Sequence, residues 1–153
     1  MNTYKNITLP ILIVLLLYGC GNTTVIEDKS GKGDPVYNFA QNDHEMNEAI
    51  GKARQTITLF INALKMPDKK KTCILKIPID NEGRLEHIWI DEVTYDGQKF
   101  SGKLANNPIS PKYKIGDKVT IDKDKISDWA IFYRNGRHDG GYTIEVIKNR
   151  TKN

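Results

Sequence analysis

The sequence predicts an α+β fold in which one long amphipathic helix packs on a curved antiparallel sheet of four to six strands. Three observations lead to this prediction. Apolar residues recur at spacings of three and four across residues 42–66, the period falls to about two after Pro67, and turn sequences separate the segments that follow. A helix followed by several consecutive strands is typical of the α+β class.

The predicted helix covers residues 42–66 and ends before Pro67. Asn42 or Asp43 can cap its first turn, and the acids Asp43 and Glu45 suit the positive end of the helix dipole. Burying one large apolar side chain is worth roughly 1.5–3 kcal/mol, so we expect this helix to dock on the sheet. Its apolar stripe consists of Met46, Ala49, Ile50, Ala53, Ile57, Phe60, Ile61 and Leu64.

Three strands are predicted next, as an antiparallel meander. Residues 72–80 alternate apolar side chains with a polar face that carries Lys76, residues 85–93 form the middle strand, and residues 99–106 form the third. Gly102 in the third strand indicates a bulge or a close approach of another chain segment. The turns between the strands contain Gly83 and the pair Asp96-Gly97.

The remaining chain predicts further strands separated by loops. Residues 107–116 read as a loop with two prolines, and residues 118–122 and 126–134 read as strands. Residues 135–141 form a turn or loop. The last segment, 142–148, suits either a final strand or a short helix, because its apolar residues fit both periods.

The N-terminus has the features of an export signal. Lys5 precedes about a dozen almost wholly apolar residues, whereas a membrane-spanning helix needs roughly twenty. The sequence Leu17-Tyr18-Gly19-Cys20 resembles a bacterial lipobox. This resemblance implies a lipoprotein signal peptide at residues 1–19, transfer of diacylglycerol to the Cys20 thiol, cleavage before Cys20 and acylation of its amino group. Several acyl chains on one residue anchor a protein stably.

The chain is therefore divided into three parts. Residues 1–19 are the signal peptide, residues 20–41 are the lipidated Cys20 with a flexible polar tether, and residues 42–153 are one α+β domain. The expected location is the bacterial cell envelope, with the domain outside the cytoplasm at the periplasmic face of the outer or inner membrane. Cys73 then has no disulfide partner and is expected to be a small buried apolar residue.

Composition excludes several classes of protein. Lys and Arg number 23 and Asp and Glu 19, and this small excess is spread along the chain, which argues against a nucleic-acid partner. The run Lys69-Lys70-Lys71 is interpreted as a solvated turn in preference to a phosphate or lipid-headgroup contact. No metal-binding, phosphate-binding or nucleophile motif is present, so no metal, cofactor or catalytic residue is predicted.

Several short segments along the chain resemble the YegJ-like family of uncharacterised bacterial proteins. The resemblance covers residues 43–146 and implies a domain of unknown function, without catalytic residues to carry over. Glu145 departs from the basic residue expected after the Tyr-Thr pair. The segments are Glu86-His87-Ile88-Trp89, Phe100-Ser101-Gly102-Lys103-Leu104 with Asn106-Asn107-Pro108, Gly116-Asp117-Lys118-Val119, Ile126-Ser127-Asp128-Trp129 and Gly140-Gly141-Tyr142-Thr143.

The candidate binding residues lie in three of these segments. His87 and Trp89 share one face of the middle strand, because side chains two apart point the same way. His87 can bind a ligand or move a proton, or it can be a structural histidine beside a core tryptophan. The proposed groove is lined by His87, Trp89, Asn106, Asn107, Asp128 and Trp129.

Three functions follow as hypotheses. The first is an envelope lipoprotein that acts as a non-catalytic binding or interaction module, with an unknown protein or small-molecule ligand. An immunity-type protein that blocks an incoming toxin is a special case of it. The alternative is a periplasmic enzyme in which His87 and Asp128 form an acid–base pair.

Replacing Cys20 by Ser should abolish incorporation of labelled palmitate and release the protein from the membrane fraction, because the acyl chains attach to the Cys20 thiol. Cys73→Ser is the matched control and should leave both unchanged. Palmitate labelling followed by membrane fractionation measures the two effects. Continued labelling of the Cys20 variant would contradict lipidation at this residue.

Overall fold

A computed structural model describes residues 24–26, 36–38, 42–66 and 68–151. These residues form an α+β fold with an open, six-stranded antiparallel sheet and three α-helices, so the predicted class and strand number are confirmed. The elements in chain order are β1 (Thr24–Ile26), β2 (Val36–Asn38), α1 (His44–Gln55), α2 (Ile57–Lys65), β3 (Lys71–Asn81), β4 (Arg84–Tyr95), β5 (Lys99–Leu104), β6 (Lys118–Asp122), a 3₁₀ turn (Lys123–Lys125), β7 (Asp128–Tyr133), β8 (His138–Gly140) and α3 (Tyr142–Thr151).

The structure describes only part of the predicted N-terminal segments. The predicted signal peptide and Cys20 lie outside the described residues. Inside the predicted tether, β1 and β2 pair as a short antiparallel sheet, in which Val25 is opposite Tyr37. Within the described part of the chain, no helix has the length and apolar character that crossing a bilayer requires.

The prediction of one long helix is wrong, because the helix is divided at Thr56. Asp43 caps α1 by accepting a hydrogen bond from the Met46 amide at 3.1 Å. At Thr56 the backbone leaves helical geometry, with φ −100° and ψ 6°. The Thr56 hydroxyl donates to the Lys52 carbonyl at 2.8 Å, and such local bonds compete with the regular helix. The apolar stripe nevertheless continues from α1 into α2, through Ala53, Ile57 and Phe60.

The six strands lie in the order β6-β5-β4-β3-β7-β8. The predicted meander β3-β4-β5 is confirmed, and β4 is its middle strand. On one face of the sheet, Leu75 of β3 and Ile90 of β4 pack with Phe60 in the hydrophobic core. We call this the core face. The other, or outer, face carries Lys76 and Trp89, which are directly opposite each other in β3 and β4.

A bulge in β4 confirms the expectation for Gly102. The register between β4 and β5 shifts between Asp91 and Thr94, and Glu92 has a φ of +48°. A Cβ atom at Gly102 would lie 2.6 Å from the Asp91 carbonyl oxygen, so only glycine fits there. Bulges bend and twist a strand, which agrees with the predicted curvature of the sheet.

Trp129 is the centre of the core. It is fully buried, its indole N–H donates to the Ala53 carbonyl at 3.0 Å, and its ring lies 5.9 Å from the ring of Phe60. Gly140 in β8 has a φ of +75°, and a Cβ atom there would lie 2.5 Å from the indole ring. Glycine at this position therefore allows β8 to pass against the tryptophan.

The C-terminal segment is a helix, which decides between the two structures that the sequence allowed. Tyr142 opens α3 and packs edge-on against Trp129, with ring centroids 5.9 Å apart. Near the end of α3, the Arg150 guanidinium donates to both carboxylate oxygens of Asp43, at 2.6 and 2.8 Å. These hydrogen bonds hold the pKa of Asp43 below its usual value, although burial acts in the opposite direction.

Replacing Arg150 by Met should lower the free energy of unfolding by about 2–3 kcal/mol, because it leaves the buried Asp43 carboxylate without its charged donors. Lys148→Met removes an exposed ion pair and should cost no more than about 0.5 kcal/mol. Urea denaturation of both variants measures the difference.

The effect of Arg150 should also depend on pH. Because the pKa of Asp43 is lowered in the folded protein, the stabilisation is present above the unfolded pKa of about 4 and is lost as pH falls through the lower, folded value. The wild-type protein and the Arg150 variant should therefore converge in acid. Equal stability of the Arg150 and Lys148 variants at neutral pH would contradict this role.

Candidate functional site

The candidate site is built on a row of three side chains that crosses the outer face of the sheet. Trp89 of β4 is opposite Lys76 of β3, and Lys76 is in turn opposite Asp128 of β7. Directly paired residues of antiparallel strands project to the same face. The Lys76 ammonium lies 5.2 Å from the centroid of the Trp89 ring, which is a favourable cation–π distance.

Asp128 at one end of this row holds the start of α3. Its carboxylate accepts hydrogen bonds from the Trp129, Tyr142 and Thr143 amides at 2.8, 3.3 and 2.8 Å. The Thr143 hydroxyl adds a fourth bond at 2.7 Å. Burial raises the pKa of Asp128, whereas these hydrogen bonds lower it. A carboxylate at a helix N-terminus satisfies amides that otherwise lack partners, so the role of Asp128 is to anchor α3.

Lys76 is enclosed between the two ends of the row. Its ammonium lies 3.3 Å from the Thr143 hydroxyl, which itself bonds Asp128. Burial lowers the pKa of Lys76, and the charge of Asp128 acts against that shift. The carboxylate and the indole face therefore stabilise the ammonium form in a place with little water.

His87 bonds Ser127 and not Asp128. The His87 Nδ1 atom and the Ser127 hydroxyl are 2.6 Å apart, and the Ser127 amide donates to the Lys76 carbonyl at 2.8 Å. Ser127 is only 1% exposed. We assign the tautomer with its proton on Nε2, because the buried hydroxyl then donates to Nδ1. Nε2 is left as a donor.

Burial and two nearby cations keep the His87 ring neutral. Its pKa is lowered to about 4, first by burial and then by the charges of Lys76 and Arg54. The residue as a whole is still exposed, so water reaches it on part of its surface. Arg54 is fixed beside it by a hydrogen bond from Nε to the Ile126 carbonyl at 2.8 Å. The surroundings of His87 are therefore positively charged.

We call Arg54, Lys76, His87, Trp89 and Ser127 the His87 cluster. The sequence identified His87 and Trp89 but missed the other three. Lys76 had one available signal, since it is the one charged residue inside an apolar strand. Ser127 lies next to a candidate residue, but nothing in the sequence indicates that Arg54, on a helix, reaches the same place.

The other predicted groove residues fall in different surroundings. Trp129 does not line a groove, because it is fully buried on the core face. Asp128 is also fully buried, and its oxygens are engaged by backbone and Thr143 donors. Asn106 and Asn107 follow Ala105, whose amide donates to the Trp89 carbonyl at 2.9 Å, so they flank the cluster on the β5 side.

This geometry disfavours the predicted acid–base pair of His87 and Asp128. The imidazole is hydrogen-bonded to a buried serine, and the carboxylate anchors a helix. Among the described residues there is also no group of three His, Cys, Asp or Glu side chains placed to hold a metal ion.

A surface groove of about 410 Å³ lies between α1 and α3, away from the outer face of the sheet. Tyr142 and Val146 contribute apolar surface to it, and Glu45, Glu48 and Glu145 are among its lining residues. Glu145 pairs with Lys148 at 3.0 Å. The groove contains none of the His87 cluster.

The fold and the site define a small α+β domain with a charged cluster on an open antiparallel sheet. A family model described as "Uncharacterized protein conserved in bacteria (DUF2314)" matches residues 43–153. The chain belongs to this family, and the predicted resemblance to YegJ-like proteins is confirmed.

Two relatives extend the comparison. "Uncharacterized protein YegJ" of Escherichia coli (strain K12) is 38% identical over 103 residues, which is 67% of this chain and 66% of the relative. "Putative ankyrin repeat protein NMB1133/NMB1171" of Neisseria meningitidis serogroup B is 32% identical over 129 residues, covering 77% of this chain and 51% of the relative. The chain thus spans about two thirds and about half of their lengths. No solved structure matches the chain.

The His87 imidazole should remain neutral down to about pH 4, because burial and two cations oppose its protonation. Lys76→Met should raise the pKa of His87 towards its usual value by removing one cation, and Lys112→Met, which is not among the causes of the shift, should not. NMR titration of the imidazole measures each pKa.

The same shift predicts how stability changes with pH. The unfolded histidine binds a proton near pH 6.5, whereas the folded one resists protonation until about pH 4. Its contribution to stability is therefore greatest above pH 6.5 and decreases as pH falls through this window. A His87 pKa near the ordinary value in the wild-type protein would contradict the electrostatic description of the site.

Proposed function

We propose that this protein is a non-catalytic binding module of the bacterial cell envelope that binds a carboxylate or phosphate group at the His87 cluster. The observation that carries the proposal is the presence of two cations near the His87 ring, Lys76 and Arg54, each held by a hydrogen bond. Burial opposes any charge at this place, but the positive charges of Lys76 and Arg54 that oppose protonation of His87 also attract an anion.

The donors available to such a ligand differ in kind. Lys76 supplies a compact positive charge, held by the Trp89 face and the Thr143 hydroxyl. Arg54 uses Nε to bond the Ile126 carbonyl, and its guanidinium is a planar donor suited to carboxylate and phosphate. His87 adds the Nε2–H donor. Together these groups match a ligand that only accepts hydrogen bonds.

Trp89 gives the cluster an apolar side. The ring is half-buried on the outer face of the sheet, next to the Lys76 ammonium. Tryptophan contributes a large contact surface in binding sites because it has both an apolar body and a polar N–H. Asn106 and Asn107, which the sequence placed in the groove, follow β5 on the flank of the cluster.

The envelope location is part of the same proposal and depends on the lipobox at residues 17–20. An acylated Cys20 would hold the domain at the periplasmic face of a membrane, on a tether of residues 20–41. A module held there can meet ligands or proteins that pass through the envelope.

Inorganic phosphate should bind with millimolar affinity and shift the NMR signals of the His87 and Trp89 rings in a saturable way, because its oxygens accept from the cluster. Lys76→Met should weaken this binding about tenfold or more, as expected for the loss of one charged hydrogen bond. Lys118→Met, which removes an exposed lysine from the same face of the sheet, is the matched control and should bind as the wild type does.

His87→Gln tests the histidine separately, because glutamine retains an N–H donor without the ring. This variant should keep the folded structure and bind phosphate more weakly. Thermal unfolding of each variant shows whether the site or the fold has changed. Phosphate shifts that do not saturate in the wild type, or that are equal in the Lys76 and Lys118 variants, would overturn the proposal.

A further inference from the structure

The end of the domain opposite the His87 cluster carries two exposed apolar side chains. Met66, which follows α2, is 63% exposed, and Leu59, about two helical turns earlier, is 59% exposed. On a different side of α2, a groove of about 230 Å³ lies between this helix and the last residues of β4. Its lining consists of Ile61, Leu64, Lys65, Val93, Thr94 and Tyr95.

Basic side chains surround these apolar residues. Lys65, Lys69 and Lys70 are all exposed, at the end of α2 and in the turn that follows it. Asp68 is the one acid between Leu59 and Leu75 in the sequence, and its carboxylate already accepts from the Lys70 amide at 2.8 Å. The local charge is therefore positive.

Strand pairing brings further groups to the same end. Lys71, the first residue of β3, is opposite Tyr133 at the end of β7, and the Arg134 amide donates to the Lys70 carbonyl at 2.9 Å. Arg134 is exposed and adds another positive charge. Lys71 fixes the turn to α2, because its ammonium donates to the Ala63 carbonyl at 2.7 Å.

We name this surface the basic end; it comprises Leu59, Lys65, Met66, Lys69, Lys70 and Arg134. We propose that the basic end rests on an anionic lipid surface, with Met66 and Leu59 inserted between the headgroups and the lysines paired with headgroup phosphates.

The chemistry of the basic end favours lipid as its partner. Exposed apolar side chains are stabilised at the boundary between headgroups and acyl chains, and neighbouring lysines extend their ammonium groups to the phosphates. Each lysine near an anionic membrane adds to the attraction. The sequence alone favoured a solvated turn for Lys69-Lys70-Lys71, because it did not show that exposed apolar residues lie beside these charges.

The contact would also orient the domain. β3 runs from the basic end at Lys71 towards Lys76, which is opposite Asp128 and the start of α3. A domain resting on the basic end therefore turns the His87 cluster away from the bilayer, where a dissolved ligand can reach it. This inference rests on the proposed envelope location but not on anion binding at His87.

The test uses the full-length protein reconstituted into vesicles of phosphatidylcholine, with or without phosphatidylglycerol. A nitroxide label is attached to Met66→Cys in a Cys73→Ser background, and its collisions with oxygen and with a water-soluble nickel chelate are measured. Ile115→Cys, which replaces a residue 53% exposed in the loop before β6, is the matched label position.

In vesicles with phosphatidylglycerol, the label at 66 should gain oxygen collisions and lose nickel collisions, while the label at 115 should remain in water. Replacing Lys65, Lys69 and Lys70 by Gln should reduce the immersed fraction at 66 about tenfold or more, because three headgroup attractions are lost. The control triple variant replaces Lys112, Lys114 and Lys118 by Gln and should leave immersion unchanged.

Three results would overturn the inference. The first is a label at 66 that behaves like the label at 115 in both kinds of vesicle. The second is a label at 66 that is equally immersed without phosphatidylglycerol, which would show that the contact does not need an anionic lipid. The third is spin–spin broadening at 66 without oxygen access, which identifies a second copy of the chain as the partner. Loss of the protein from all vesicles after Cys20→Ser would show that Cys20 anchors the protein, which is a separate question from the contact at Met66.

Discussion

The Asp128 carboxylate is the interaction on which the rest of the structure depends. It receives the first amides of α3 and the amide of Trp129, so it joins a helix to the strand that carries the central core residue. A buried carboxylate is costly unless nearly all its acceptor positions are used. Four hydrogen bonds and the neighbouring Lys76 charge meet that requirement here. Because α3 is then held in place, Thr143 is also positioned to contact Lys76.

Lys76 connects this structural anchor to the candidate site. The same ammonium that lies near Asp128 and Thr143 also lies over Trp89 and lowers the pKa of His87. Three segments on which the family resemblance rests meet at this lysine, namely those that contain His87, Asp128 and Thr143. A polar network of this kind fixes one arrangement of strands, because any other register would leave buried polar groups unpaired.

The two ends of the sheet differ in chemistry. At one end, Lys76 and Asp128 are enclosed and hydrogen-bonded. His87 is the exposed residue there and can contact a ligand. At the other end, Met66 and Leu59 are exposed close to the exposed lysines Lys65, Lys69 and Lys70. The first arrangement suits a small anionic group, and the second suits an extended anionic surface. One antiparallel sheet thus separates the two proposed binding surfaces along the length of its strands.

The sequence by itself determined the class, the strand order of the meander and the position of the apolar stripe, because these follow from local periodicity and turn residues. It also placed His87 and Trp89 on one face of β4. Only the tertiary structure decided that the helix breaks at Thr56, that residues 142–151 are helical, and that Trp129 belongs to the core. It also brought Lys76, Ser127 and Arg54 to His87. These outcomes depend on contacts between residues far apart in the chain, such as Thr56 with Tyr142 and Trp129 with Ala53, which no local pattern contains.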